Sequence, residues 1–543
     1  MMPTNRSRLT IIFFIFALVY TVLIINLYSI QVRQNTYFSH LGHQQYNVTI
    51  TSIPPRAEIF DRNGQALALN KESLAAFLIP QRLEQPQEVL QFLKKHFPQA
   101  AIRLANSNKS HFMYIKRRLT DEQQKLIQDS QLTDIKLLTE PSRFYPIASV
   151  GPLVGITDID NQGTLGIEQL YNTQLLGTAS TYILEKDARS GHFYFKRQTK
   201  VQGISGKPIT LTLDGTLQFL VHEELKNSLA QLGSQEGAAL IVNPGTGEIL
   251  AMANYPDFDP NDSENLDIAK TKNRVTTDAY ELGSVIKAFL ALAALEENLV
   301  TAEELIDCEN TTATTLDGIK FSTWKPNGLI SFSEVIQCSN NIGVAKVALR
   351  LGTKLYDHYK RLGFGQKIGI VPGENSGFIT PPERWSRASV ISLSFGYEIS
   401  ATLLQLAQAL SIIAQDGALI PLHIVQQAVQ QEKPKQLYRP ETVAILKNIL
   451  LKTITHGSGK QALIDGYTVR GKTGTARLIT NGKYDPHRHI FTFMGIIEKG
   501  SYKRIIITFI KETTKKDAFA STTAVPLFEK IAHKMIIHDK TVS

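Results

Sequence analysis

Leu282-Gly283-Ser284-Val285-Ile286-Lys287 runs without a break into the apolar segment Ala288–Leu299. Read as the head of a buried helix, it sets Ser284 and Lys287 one turn apart on one face, with Cβ atoms about 5–6 Å from each other. Gly283 lets the backbone turn into the helix start, where the positive end of the helix dipole favours negative charge growing on a serine oxygen. A lysine can take the serine proton only as the neutral amine, and burial or a second cation nearby lowers its pKa toward that state. Alone, Ser-x-x-Lys says little: ordinary Ser and Lys usage of roughly 6–7% produces it about once or twice in a chain of this size. A second copy, Ser322-Thr323-Trp324-Lys325, is followed at once by Pro326, Asn327 and Gly328, which predicts a turn rather than a helix. Ser284 is therefore the candidate nucleophile and Lys287 its candidate base.

Two further motifs follow in the chain. Ser339-Asn340-Asn341 precedes the helical run Ile342–Leu349. Its hydroxyl and amide, two residues apart, suit a cleft in which Ser339 relays a proton to an amine and Asn341 holds a substrate amide. The same tripeptide also reads as a plain helix cap. Gly471 then leads into Lys472-Thr473-Gly474-Thr475, after a strand-like Tyr467–Arg470. Glycine in a strand marks the close approach of another backbone or a ligand, and an edge strand can hold an extended peptide by main-chain hydrogen bonds. Lys472 would bind a carboxylate, with the Thr473 and Thr475 hydroxyls donating to it; the plain alternative is an ordinary glycine-rich strand end.

Outward from these motifs the chain divides near residue 205. Beyond it, Ile209–Leu213 alternates like a strand, Thr216–Leu232 reads as an amphipathic helix, and Ala238–Val242 and Glu248–Ala253 read as a hairpin around Asn243-Pro244-Gly245-Thr246-Gly247. Ile490–Ile497 and Arg504–Ile510 are apolar strand candidates, and Thr523–Ile537 closes as a helix. Strands, a helical middle, strands and a last helix predict an α+β fold with helices flanking an antiparallel sheet. Residues 33–205 are polar and mixed, with turns at Ile53-Pro54-Pro55-Arg56 and Asp61-Arg62-Asn63-Gly64, helices at Gln87–His96 and Asp121–Ser130, and no catalytic constellation; a structural or docking module is expected.

At the other end, Thr10–Val32 carries no charge, and about twenty apolar residues span a bilayer as a helix. Arg6 and Arg8 precede it, so residues 1–9 are expected inside and the body outside. No small-x-small cleavage site follows, which favours an anchor at residues 10–32 over a removed signal. The 543 residues exceed one core. With 43% hydrophobic and 20% charged residues the chain is a folded one, and its net charge of +9 comes without a dense Lys/Arg block, which argues against nucleic acid. Cys308 and Cys338 form neither a disulfide framework nor a zinc pattern. His487 and His489 are expected in a solvated loop, two histidines being too few for a metal site.

Ser-x-x-Lys on a buried helix, then Ser-x-Asn, then Lys-Thr-Gly is the order found in penicillin-recognising serine enzymes. Over nearly its whole length the sequence resembles class B penicillin-binding proteins. Arg56-Ala57-Glu58-Ile59-Phe60-Asp61-Arg62-Asn63-Gly64-Gln65-Ala66-Leu67-Ala68 is similar to the family's signature near the anchor, and Arg143-Phe144-Tyr145-Pro146 and Gly166-Ile167-Glu168 to landmarks of its pedestal module. Ala239–Asn254, Asn273-Arg274, Ser394-Phe395-Gly396-Tyr397 and Lys472–Ala476 resemble its transpeptidase domain. The departures are Leu282 for the usual Pro and Ala57 for the signature's Gly, and neither removes a catalytic group.

The resemblance implies a cytoplasmic tail (1–9), a transmembrane anchor (10–32), an elongated pedestal or dimerisation domain (33–205) and a transpeptidase domain (206–543). It implies that Ser284 is acylated, that Lys287 is its base, that Ser339, Asn341 and Lys472 complete the catalytic set, and that Thr473, Gly474 and Thr475 bind substrate. The amides of Ser284 and Thr475 would form the oxyanion hole, where one donor is worth roughly 3–4 kcal/mol. The implied activity is D,D-transpeptidation of peptidoglycan stem peptides through an acyl-enzyme on the outer side of the inner membrane, without metal or organic cofactor and with β-lactams as inhibitors. Asn340 and Asn341 resemble the septal division branch, as does the lack of a C-terminal repeat extension. A polytopic glycosyltransferase and other division proteins are the partners the family implies. An elongation-type transpeptidase and a D,D-carboxypeptidase are the enzymatic alternatives, and a β-lactam sensor or wall-synthesis scaffold the non-enzymatic ones.

Overall fold

The computed structural model describes residues 5–52, 54–106, 112–186, 193–262, 265–426 and 433–542. The first four residues of the expected tail, Ile53 of the expected Ile53–Arg56 turn, and Ser543 lie outside the described residues. Compactness divides the chain into two units, one of Met1–Arg56 with Leu176–Gly206, the other of Ala57–Leu175 with Lys207–Ser543.

The first unit opens with helix α1 (Asn5–Tyr28), which continues through a π-turn at Ser29–Arg33. Its apolar side chains, Phe13, Phe14, Phe16 and Leu18 among them, are exposed all round. A helix apolar on every face and covered by nothing is long and apolar enough to cross a membrane. The unit also holds the antiparallel strands Asn47–Ser52, Ser180–Lys186 and Phe193–Val201.

In the second unit the long strand Ala66–Leu78 pairs with Lys136–Phe144 and Met113–Lys116, and Pro86–His96 and Asp121–Asp129 are helices close to their expected bounds. The Asp61 carboxylate accepts from the amides of Asn63, Gln65 and Gly215, which ties the turn after Phe60 to the start of the helix Gly215–Leu232. The expected strand Ile209–Leu213 is shorter: Ile209–Thr210 pairs alongside Ile59–Phe60, and Leu211 adds a single bridge to Val425. Leu211, Thr212 and Leu213 are all buried, so the alternation seen in sequence is not an inside–outside alternation.

From there the unit is a five-stranded antiparallel sheet between two helical layers. In chain order its parts are α2 (Gly215–Leu232), β1 (Glu236–Asn243), β2 (Glu248–Tyr255), α3 (Lys287–Glu296), α4 (Asn341–Leu351), α5 (Leu403–Ala414), α6 (Pro440–Thr455), β3 (Thr468–Thr480), β4 (Lys483–Lys499), β5 (Tyr502–Lys511) and α7 (Ala524–Val542). The strand order is β2-β1-β5-β4-β3, so β3 is an edge. Ala239, Ile241, Phe493 and Ile506 join α2 and α7 in one core, whereas Leu240, Val242, Met494 and Ile507 join α3 and α5 in another. Both faces are covered, so these strands read in sequence as continuous apolar runs.

Three local expectations need correction. His487 and His489 lie on β4 rather than in a loop, because the β3–β4 hairpin extends well beyond the body of the sheet, to Thr480 and Lys483. Ser322 is not in a turn but ends a short strand, Ile319–Ser322, paired with Ala313–Leu316, and only the residues after it leave the ladder. The turn carrying Ser284 is not α-helical but 3₁₀. Cys308 and Cys338 are both free thiols.

Candidate active site

Gly283 has φ +61° and opens the 3₁₀ turn Gly283–Ile286, after which α3 begins at Lys287. In a 3₁₀ turn residues i and i+3 eclipse, which stacks Ser284 over Lys287 more directly than an α-turn does. Ser284 is half-buried, while the Lys287 side chain is 0% exposed. Its ammonium donates to the Ser339 carbonyl (2.7 Å) and to Asn341 Oδ1 (2.6 Å), and lies 3.1 Å from Ser339 Oγ.

Ser339 reaches this position through a helix end. The helix Phe332–Gln337 closes with Ser339 N–H bonded to Ile336 and Asn340 N–H bonded to Val335. That pattern needs a left-handed residue after the C-cap, a place usually held by glycine. Ser339 holds it, with φ +57°. A side chain there costs roughly 1–2 kcal/mol, and the backbone turn aims both the carbonyl and the hydroxyl of Ser339 at Lys287. Asn340 then caps α4, its Oδ1 accepting from Gly343 N–H (2.9 Å). The helix-cap reading and the site reading of this tripeptide are thus both realised, on adjacent residues.

The third motif arrives on β3. Lys472, 1% exposed, donates to Ser339 Oγ (3.1 Å) and to the Thr473 carbonyl (3.2 Å). One hydroxyl therefore bridges two buried amines. Burial, and then the charge of Lys472, hold Lys287 well below the ordinary lysine range. Burial brings Lys472 down to about 7, with the Cys338 thiol acting weakly the other way. Two ammonium groups sharing one dry hydroxyl is an expensive state, so the pair favours losing a proton.

Register determines which groups of β3 face the site. The Gly471 carbonyl accepts from the Thr453 hydroxyl on α6, and the Thr473 carbonyl accepts from Lys472. In an antiparallel strand the N–H and C=O of one residue point the same way, and residues two apart share that direction. Residues 471, 473 and 475 therefore turn their backbone groups away from β4, Gly471 toward α6 and Thr475 toward the turn that carries Ser284. A Cβ on Gly474 would lie 2.6 Å from the Leu282 carbonyl and 2.9 Å from Val285, and a Cβ on Gly283 would lie 3.0 Å from the Thr475 carbonyl. Glycine at both positions lets strand and turn meet. Thr473 Oγ1 pairs with Ser458 Oγ (2.6 Å), and Thr475 Oγ1 accepts from Ala520 N–H (3.1 Å), leaving its own proton free to donate.

The eight residues singled out from the sequence thus lie on three segments packed together. Sequence reading overlooked Ser458 and Thr453, and it quoted Gly396 only for its resemblance to the family; the missing side chain of Gly396 leaves room for the Gly283 carbonyl. It also set aside Ser322 and Thr323, which lie beside Asn341. None of these carries a local signal, since their neighbours are all distant in the chain.

A model described as penicillin binding protein transpeptidase domain matches residues 237–533, and one described as penicillin-binding protein dimerisation domain matches 51–211. The chain is 29% identical over 540 residues to the probable peptidoglycan D,D-transpeptidase PenA of Neisseria meningitidis, covering 97% of this chain and 92% of that one. It is 30% identical over 485 residues to the probable peptidoglycan D,D-transpeptidase PbpC of Pseudomonas aeruginosa, covering 88% and 85%. Its fold is that of penicillin binding protein 3 from Mycobacterium tuberculosis, crystallised with aztreonam, at 23% identity and a TM-score of 0.70 over 90% of this chain and 97% of that one.

Proposed function

The chain belongs to the class B penicillin-binding proteins, and from that premise we propose that Ser284 is its acylated nucleophile and Lys287 the base that frees it. The protein is a peptidoglycan D,D-transpeptidase. In the reaction, Ser284 Oγ attacks the carbonyl between the two terminal D-alanines of a stem peptide while its proton passes to neutral Lys287. The oxyanion sits between the amides of Ser284 and Thr475. The peptide C–N bond breaks, and the proton returns to the departing D-alanine amine by way of Ser339. An amine of a neighbouring strand then attacks the acyl-enzyme and releases Ser284. Lys472 and the hydroxyls of Thr473 and Thr475 hold the donor carboxylate, Gly474 keeps the strand close enough for it, and Asn341 holds the donor's amide.

One observation carries this reading: the Ser339 hydroxyl lies 3.1 Å from each of two buried lysine amines, one of which sits a turn from Ser284. That is a proton path with its base already desolvated. The test is labelling of membranes with a fluorescent penicillin. Covalent labelling is expected in the wild type and in Ser322→Ala and lost in Ser284→Ala; labelling of Ser284→Ala refutes the assignment. Supplying donor and acceptor peptides and comparing dimer with hydrolysed product separates cross-linking from carboxypeptidase action.

We read residues 33–205 as a pedestal between an anchor at 10–32 and a catalytic domain at 206–543, supported by the dimerisation-domain match. Arg6 and Arg8, in the first turns of α1 and ahead of its apolar stretch, support an inside N-terminus and an outer catalytic domain. Septal synthesis is favoured over lateral synthesis by Asn340-Asn341, with a polytopic glycosyltransferase docked on the anchor. Depletion giving filaments supports the septal role, and depletion giving rounded cells supports the lateral one.

A further inference from the structure

The discarded Ser-x-x-Lys copy lies against the site. Four hydrogen bonds join the stretch 322–327 to the loop 338–341. The Ser322 carbonyl accepts from Asn341 Nδ2 (2.7 Å), Thr323 Oγ1 accepts from the Asn341 amide N–H (3.2 Å), Trp324 Nε1 donates to the Cys338 carbonyl (2.8 Å), and Asn327 Oδ1 accepts from Asn340 Nδ2 (3.0 Å). The Thr323 amide bonds back to the Thr312 carbonyl, which closes the base of the 313–322 hairpin. Phe321 stacks on Phe395, which fixes the hairpin from its other side.

These bonds determine three things the chemistry needs. A carbonyl can only accept, so the Ser322 oxygen selects the amino end of the Asn341 amide and leaves Oδ1 facing Lys287. The Asn341 N–H is one of the open donors at the start of α4, and Thr323 satisfies it, which sets where that helix begins. The indole holds the 338–339 peptide plane next to the strained Ser339, and the orientation of the Ser339 carbonyl toward Lys287 follows. Trp324 itself is 68% exposed, so its packing matters little to the core and its N–H is its main structural contribution.

We propose that Ser322-Thr323-Trp324 is a strap that positions the second motif, with Thr323 and Trp324 as positioning residues for Lys287, acting through Ser339 and Asn341. The proposal rests on Ser284 and Lys287 being nucleophile and base. Loosening the strap moves the Ser339 carbonyl and Asn341 Oδ1 away from Lys287. Both accept more strongly from an ammonium than from an amine, so their loss lowers the pH at which Lys287 deprotonates. Lys472 is the charged group that acts on it, and Cys338 acts in turn on Lys472; every variant below keeps both.

The experiment measures the rate of acylation by a fluorescent penicillin from pH 6 to 10, on the full chain in detergent, beside its melting temperature. Thr323→Val and Trp324→Phe should acylate roughly 10- to 100-fold more slowly, the range for removing an outer group that orients a catalytic one. Their rising limb should lie at lower pH than in wild type, and Trp324→Phe should melt as wild type does. Thr323→Ser, which keeps the hydroxyl, should stay within about twofold. Wild-type rates and limbs in Trp324→Phe, or Thr323→Ser as slow as Thr323→Val, overturn the strap while leaving Ser284 as nucleophile. Labelling that persists in Ser284→Ala overturns the nucleophile and the strap together.

Discussion

Replacing Lys472 by Met should make the protein more stable at pH 7 and less stable at pH 10. The folded amine has a pKa of about 7 against an ordinary 10.5, and each unit of difference is worth 1.36 kcal/mol. The sign follows from proton counting. Between these two values the unfolded chain binds a proton that the folded chain does not, so stability rises with pH across that window. The whole penalty stands below pH 7 and is gone above about 10.5. Summed over both protonation states it is about 4 kcal/mol at pH 7 and about 1 kcal/mol at pH 10. Met has a similar unbranched shape and fits the slot, but it forfeits the bonds to Ser339 Oγ and the Thr473 carbonyl, about 1 kcal/mol each at any pH. The balance is a gain of about 2 kcal/mol at pH 7 and a loss of about 1 kcal/mol at pH 10. Melting curves of both proteins across this range should therefore cross. A gap that keeps one sign and size from pH 7 to 10 would refute the claim that Lys472 is carried into the fold at the cost of its charge.

Other outcomes follow from the same geometry. Gly474→Ala should melt at a lower temperature and, where still folded, acylate roughly 100-fold more slowly in a penicillin-labelling time course, because its Cβ needs space held by the Leu282 carbonyl and a displacement of about 1 Å at a reacting centre costs that much. Acylation by the wild type should rise with pH and level off well below pH 10.5, since Lys287 loses its proton early; in Lys472→Met the limb of any residual labelling should move to higher pH, because the neighbouring cation is gone. Phe528→Ala should lose about 3–5 kcal/mol in denaturant unfolding, since the ring is fully buried edge-on to Phe493 and packs against Gly495. Labelling at low temperature should survive it, because α7 packs on the sheet face away from α3.

Much of this architecture was legible because the decisive patterns are local. Alternating faces of β1, β4 and β5 are covered by different helices, so each strand appeared as an apolar run, and the turn residues 243–247 marked the hairpin between β1 and β2. Lys287 was readable as a buried amine because Ala288–Leu295 after it is uniformly apolar. What escaped depended on contacts between distant segments. Nothing in the sequence shows that Ser339 takes a left-handed conformation, since that comes from one helix ending where the next begins. The pairing of Ser458 with Thr473 and of Thr453 with Gly471 arises only once α6 lies along β3. Ser322-Thr323-Trp324-Lys325 was correctly set aside as a catalytic helix, yet its true neighbours lie on a loop that no local pattern connects to it. The histidines at 487 and 489 looked like loop residues because Gly482, Asp485 and Pro486 surround them, but the strand continues past an irregularity there, with His489 paired to Arg477 and Tyr484 to Ile479.

The exposed border of β3 has a further consequence. Backbone groups left without a strand beside them for the sake of a passing peptide are equally available to any other extended chain. The fold limits this exposure. At Gly471 the Thr453 hydroxyl already occupies the carbonyl, so the accessible stretch is closed at that point. A protein that works among loose wall peptides thus presents a docking strip interrupted at one backbone group to any of its own unfolded copies. Substitution of Thr453 by Val, which frees the Gly471 carbonyl, should show itself first as clumping during refolding, before any change in turnover.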